Sequence, residues 1–413
     1  MNLDSVGLRA KSAAKILAGS DTGIKNGALT LIAKALTDNA DAIIAANAAD
    51  VDNAKAAGMK PSMLDRLTLT GERIAGMAQG VSDIAGEDDP VGKILSGGNR
   101  PNGLKIKKVS VPLGVVGIIY EARPNVTSDA AALCLKSGNA CILRGGKEAI
   151  NSNKAIVFVM RNAVETAGLP ADCICFIEDT SRESAAALMK LSYLDCLIPR
   201  GGAGLIRSVV ENSTVPVIET GVGNCHIYVE KTADIDMAAR IVFNAKTQRP
   251  SVCNAAESLL VDRAVAKAAL PVICGKLREK NVEIRGCAET LAILDYAVSA
   301  SDEDYFTEFL DDIISVKVVD DVDEAIAHIG KYSSGHSESI ITGDYFAAEK
   351  FTGEVDSAAV YVNASTRFTD GAVFGLGAEV GISTQKLHAR GPMGLSALTS
   401  TKFIVNGSGQ VRE

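Results

Sequence analysis

Tryptophan is absent from this 413-residue chain, all aromatic residues together make up 4%, and histidine occurs four times. A core so poor in large rings is built from small and aliphatic side chains. The 38 glycines and abundant alanines fit an α/β protein with many tight turns. No apolar run reaches the roughly 18 residues that would span a bilayer, so no transmembrane helix is expected. The opening Met1-Asn2-Leu3-Asp4 lacks the basic and apolar regions of a secretory signal, and a cytoplasmic location is expected. Net charge is −8 and no basic cluster exceeds Lys105, Lys107 and Lys108, which argues against nucleic acid as the main partner. The nine cysteines match no zinc spacing, and eight lie in apolar contexts such as Leu133-Cys134-Leu135. No metal site is expected, and the thiols read as reduced and buried with one exception. At roughly 150 residues per domain the chain holds two or three domains, whose cores need no disulfide or metal.

Residues 1–85 carry helical periodicity, with Leu29, Ile32 and Leu36 among Ala, Lys and Asp. After Asn102-Gly103, a hairpin dipeptide, Leu104, Ile106 and Val109 alternate with lysines as a two-faced ribbon does. From Gly114 onward short apolar runs alternate with helical stretches. Strands are expected at 114–120, 141–143, 173–177 and 194–198, and a helix at 127–137 capped by Thr127 or Ser128. The rhythm returns after residue 230, with strands at 258–261, 314–319, 339–341 and 358–362. Repeated strand–helix–strand units mean parallel sheets with helices on both faces. The seam between the two α/β domains is expected near 220–232. The stretch 402–405 is β-rich without a helix of its own and needs a strand edge to pair with.

The polar run Phe243–Glu257 contains Cys253, which follows Lys246, Arg249 and the helix-breaking Pro250. A loop thiol near cations is more acidic than a buried one, and the thiolate is the nucleophile; the alternative is one more packed cysteine. In Val111–Thr127 a buried strand leads into a polar loop where Asn125 can offer an amide N–H to an oxyanion, or merely form a turn. Leu143-Arg144-Gly145-Gly146-Lys147 and Arg200-Gly201-Gly202-Ala203-Gly204 are strand–glycine–helix junctions that suit a dinucleotide phosphate, although neither matches G-x-G-x-x-G. Glu219-Thr220-Gly221-Val222-Gly223 reads equally as hinge or catalytic loop. Asn363–Gly371 carries Arg367, a candidate clamp for a carboxylate, with Arg123 second. The histidines are assigned structural or surface roles.

Taken in order, these segments resemble the aldehyde dehydrogenase superfamily, and within it the γ-glutamyl phosphate reductase family. The match runs through Asn244-Ala245-Lys246-x-Gln248-Arg249-Pro250-x-Val252-Cys253-Asn254-Ala255 and, at the other end, Val373–Thr384. The resemblance implies two Rossmann-like parallel-sheet domains with a small β oligomerisation element. A cofactor-binding domain would span 1–98 and 113–222, a catalytic domain 223–388, and the oligomerisation ribbon and strand 99–112 and 389–413. Cys253 would be the nucleophile, with Asn125 and the Cys253 backbone N–H as oxyanion hole. NADPH would be held by Arg144, Lys147, Gly201, Gly202, Gly204, Glu219 and Glu308. Expected substrate contacts are Arg123, Lys246, Gln248, Arg249, Ser365, Thr366 and Arg367. The implied reaction is reduction of L-glutamyl 5-phosphate to the 5-semialdehyde in proline biosynthesis, by a homodimer or larger homo-oligomer, with glutamate 5-kinase as an expected partner. The water-activating Glu-Leu-Gly-Gly-Lys motif of aldehyde oxidisers is replaced by Glu219-Thr220-Gly221-Val222-Gly223, as a reductive enzyme permits. Two other readings stay open: another acyl-activating reductase or aldehyde dehydrogenase, and a non-catalytic binding paralogue.

Overall fold

The computed structural model describes residues 2–412. In chain order the strands are β1 (Ile94–Asn99), β2 (Lys105–Pro112), β3 (Val115–Tyr120), β4 (Ala140–Arg144), β5 (Ile174–Phe176), β6 (Cys196–Arg200), β7 (Cys225–Val229) and β8 (Ala256–Asp262). There follow β9 (Glu283–Gly286), β10 (Val298–Ser299), β11 (Ile313–Val319), β12 (Ser337–Ile341), β13 (Ala359–Val362), β14 (Ile382–Ser383), β15 (Gly391–Pro392) and β16 (Thr399–Asn406). The chain forms two compact units. One runs to Thr220 and regains Gly375–Gly381 and the C-terminal segment from Met393; the other holds Gly221–Phe374 and Ile382–Pro392.

The first unit opens with five helices, from Leu3–Ala18 to Gly71–Gly86. Local chemistry sets their starts: the side chains of Asn2, Asp21 and Thr70 accept the first free backbone N–H groups. A parallel sheet of order β5-β4-β3-β6 follows. All six residues of β3 are buried, as expected of a strand covered on both faces. Val115, Ile119, Ile142 and Leu197 form its core with Val6 and Ala10 of the first helix.

One local expectation fails. The helix expected at 127–137 begins at Asn125, because Pro124 already adopts helical angles (φ −57°, ψ −33°) and no side chain caps it. Thr127, expected as the cap, is buried and hydrogen-bonds Tyr120 and Asn153. The ribbon and the C-terminal strand, which need an edge to pair with, find one in each other: β2 is the middle strand of the antiparallel order β1-β2-β16. A two-faced strand offers hydrogen bonds on both edges, and both edges of β2 are taken here.

The second unit is built on a seven-stranded parallel sheet, order β10-β9-β11-β8-β7-β12-β13. Strands β7, β8 and β12 are buried along their whole length. Helices Ile235–Thr247 and Arg263–Arg278 pack Val242, Ala245, Leu270 and Ile273 against them. No helix among the described residues is long and apolar enough to cross a membrane.

Candidate active site

Cys253 lies in the second unit, between the helix Ile235–Thr247 and β8, and is half-buried. The base of its loop is closed by an ion pair. Lys246 Nζ lies 2.5 Å from Glu257 Oε2, and both side chains are wholly buried. Lys246, expected among the substrate contacts, therefore has no ammonium to offer a substrate or the Cys253 thiol. Burial pushes the Glu257 carboxyl up, against the pull of Lys246.

The loop is braced from three sides. Gly223 packs so closely that a Cβ there would overlap the Cys253 carbonyl. The Cys225 thiol donates to that carbonyl at 3.2 Å. Asn254 Nδ2 donates to the Thr369 carbonyl at 2.9 Å, and its own carbonyl accepts from the Thr366 hydroxyl at 2.8 Å. Ser365 and Thr366 are thus buried supports, since Ser365 Oγ accepts from the Arg367 N–H. Their side-chain oxygens are thus engaged with backbone groups of the protein. Glu308, expected on a cofactor ribose, accepts from the Gly223 N–H at 2.8 Å and so steadies the same loop.

Arg367, Gln248 and Arg249 are left to meet a ligand. Arg367 Nε donates to Gln248 Oε1 at 3.0 Å, and Gln248 and Arg249 are exposed. Burial holds the Arg367 guanidinium below its ordinary value, opposed chiefly by the neighbouring Cys253 sulfur.

Seven of the other thiols are buried. Burial pushes Cys173, Cys175, Cys196 and Cys274 up to about 12, and pushes Cys225 well up too. Cys287 departs from the expected pattern. It is half-buried, and although burial raises its thiol, hydrogen bonds from Thr290 and the Val318 N–H bring it below the ordinary value. Cys253 is thus not alone among nine thiols in being accessible.

In the first unit, Asn125 is exposed at the start of the helix Asn125–Lys136 and donates from Nδ2 to Asp129 Oδ2 at 3.0 Å. Arg144 ends β4, and its Nη2 donates to the Thr180 and Ser181 carbonyls at 2.6 and 2.8 Å. Arg144 Nε is buried with no partner among the described residues. Lys147 is exposed at the start of a short 3₁₀ turn. The glycine turn after β6 holds an anion from the protein itself: Glu121 Oε2 accepts from the Gly202 N–H at 2.9 Å, at the start of the helix Ala203–Asn212. A Cβ at Gly201 would come 2.6 Å from that carboxylate, whereas at Gly204 it would meet nothing. Arg123 and Glu219 are partly buried in this unit.

Sequence reasoning missed Glu121, Asp129, Cys225 and Asn254. The last stood in the cysteine signature, but its bonds to residues more than a hundred positions away carry no local signal.

A half-buried cysteine on a braced loop of one parallel-sheet unit, with glycine junctions at the strand ends of another, matches an aldehyde dehydrogenase arrangement. The model of the aldehyde dehydrogenase family matches residues 3–289, and the chain belongs to that family. Membership implies a nicotinamide-dependent oxidoreductase. The chain is 60% identical to the gamma-glutamyl phosphate reductase of Carboxydothermus hydrogenoformans over 405 residues, 98% of each chain. It is 58% identical to the enzyme of that name from Lachnospira eligens over the full length of both. The crystal structure of gamma-glutamyl phosphate reductase from Thermotoga maritima superimposes with a TM-score of 0.96 at 51% identity, over 99% of each chain.

Proposed function

We propose that the chain reduces L-glutamyl 5-phosphate to L-glutamate 5-semialdehyde and phosphate with NADPH, through a thioester on Cys253, in proline biosynthesis. The full-length likeness to gamma-glutamyl phosphate reductases supports the substrate. The observation that carries the chemistry is a half-buried Cys253 whose loop is held by Gly223, Cys225 and Asn254 beside the Arg367 guanidinium.

An acyl phosphate is already activated. The Cys253 thiolate attacks its carbonyl carbon, the C–S bond forms, and the C–O bond to phosphate breaks as phosphate leaves. Charge collects on the carbonyl oxygen, where the Asn125 amide and the Cys253 backbone N–H supply donors. The bracing of the Cys253 carbonyl fixes the direction of the adjoining backbone. Arg367, fixed by Gln248, takes the substrate's α-carboxylate, with Arg249 as a second positive charge. Arg144 and Lys147 hold the 2′-phosphate of NADPH, and the Gly201–Gly202 turn takes its pyrophosphate. These residues fit that group: the turn already binds the Glu121 carboxylate, and Arg144 keeps a buried donor unspent. A bound nicotinamide would supply the hydride that the acyl carbon accepts, after which the C–S bond breaks, the Cys253 thiolate leaves and the aldehyde is released. Water is kept out, since it would hydrolyse both the acyl phosphate and the thioester.

A homo-oligomer and glutamate 5-kinase complete the proposal as partners. The first draws support from the open outer edges of β1 and β16, which expose Ile94, Leu95, Phe403 and Val405. The function is tested in reverse, by following nicotinamide reduction with pyrroline-5-carboxylate and phosphate and omitting each in turn. Turnover that requires both is expected. Phosphate-independent turnover, or a preference for coenzyme A as acyl acceptor, would point to a different member of the family.

A further inference from the structure

We infer that Asp129 is a positioning residue for the oxyanion donor Asn125. The inference rests on the reading of Asn125 given above. An asparagine at a helix start commonly spends its side chain on capping its own backbone. Here Pro124 takes the cap position, no side chain caps the helix, and the Asn125 backbone carbonyl accepts from Ser128 Oγ at 2.9 Å. The Asn125 carboxamide is spent instead one turn along, with Nδ2 donating to Asp129 Oδ2 at 3.0 Å.

The choice of partner matters. An ionised carboxylate only accepts, so it admits the carboxamide in one orientation, nitrogen inward. With one N–H fixed, the carboxamide plane is set and the second N–H has a defined direction at an exposed position. A hydroxyl or amide partner would allow the flipped arrangement, which presents an oxygen to the oxyanion.

A bare carboxylate one hydrogen bond behind an oxyanion donor would oppose the charge that the donor must stabilise. One feature reduces that cost. The positive charge of Arg200, at the end of β6, acts on Asp129, and Arg200 Nε is buried with no partner among the described residues.

The test is a double-mutant cycle on the full chain, reading kcat, KM and NADPH affinity for Asn125→Ala, Asp129→Ala, Asp129→Asn and the double alanine variant. Asn125→Ala is expected to lower kcat by about 10²–10³-fold, the usual effect of losing one oxyanion donor. Asp129→Ala should lower kcat by about tenfold or more, with NADPH affinity unchanged. It should cost nothing further in the Asn125→Ala background, because it acts only through that side chain. Asp129→Asn, which keeps an acceptor, should recover part of the loss, and it carries the same cycle should Asp129→Ala not fold. Wild-type kcat in both Asp129 variants while Asn125→Ala is impaired would overturn the inference, as would losses that multiply in the double variant. Unimpaired kcat in Asn125→Ala would instead remove the oxyanion reading itself, and this inference with it.

Discussion

Replacing Lys246 with methionine tests whether this lysine closes the Cys253 loop or holds substrate. Lys246 lies seven residues before the cysteine and Glu257 four after it, and their pair is fully buried at 2.5 Å. Removing one partner of such a pair leaves a stranded charge, which typically costs about 3–5 kcal/mol. The sign with pH follows from Glu257, whose folded carboxyl is already raised by burial and loses its counter-charge in the variant. A raised carboxyl destabilises above its unfolded value and is relieved by protonation, so Lys246→Met should itself gain stability as pH falls from 8 toward 5. Lys246→Met/Glu257→Leu should restore most of the stability, since well-packed apolar replacements of buried pairs are often neutral or better. Urea unfolding at pH 8, 7 and 6 measures all three chains. Wild-type stability in Lys246→Met, together with a raised KM for the semialdehyde, would refute the reasoning and return the ammonium to the substrate.

Three further outcomes are expected. Glu121→Gln should bind NADPH roughly two- to fivefold more tightly at low salt, because the carboxylate on the Gly202 N–H competes with phosphate at a helix start; weaker binding would mean that Glu121 itself contacts the cofactor. His328 sits among Tyr305, Tyr332 and His226, and burial pushes it down to about 2. The stability its neutral form allows is complete above the unfolded value near 6.5 and is lost as pH falls, by about 2 kcal/mol at pH 5, so His328→Phe should lose correspondingly less between pH 7 and 5 in urea titrations. Iodoacetamide mapping should label both Cys253 and Cys287, while only Cys253→Ser abolishes turnover and keeps NADPH binding; loss of turnover in Cys287→Ser as well would show that the second thiol is needed.

Periodicity and turn chemistry made the two parallel-sheet units legible before any coordinates, because buried parallel strands read as short apolar runs between helical stretches. Strand order did not emerge that way. Nothing local reveals that β7 lies between β8 and β12, or that β2 is flanked by both β1 and β16. At the site, the cysteine loop and the glycine junctions announced themselves through residue type. What each side chain does depended on burial. Lys246 looked like an exposed cation in a polar run, and only Glu257, eleven residues on, makes it a staple. Ser365 and Thr366 stood among the expected substrate contacts, and their side-chain oxygens bond backbone groups of Arg367 and Asn254. Cys287 follows Gly286 and precedes Ala288 and reads as inert, yet its sulfur accepts from Val318, 31 residues away on a neighbouring strand. Asp129 was hidden because a polar residue one turn into a helix reads as part of a solvated face.

The central claim is a covalent acyl-enzyme on Cys253. The measurement that tests it most directly withholds phosphate in the reverse direction, so that the thioester has no acceptor. Mixing the protein with NADP and pyrroline-5-carboxylate should give a burst of about one reduced nicotinamide per active site, followed by a stall. Peptide mass spectrometry of the stalled protein should find the glutamyl group on Cys253, and adding phosphate should release it and restart turnover. Steady turnover without phosphate, or an adduct on any other residue, would contradict the account.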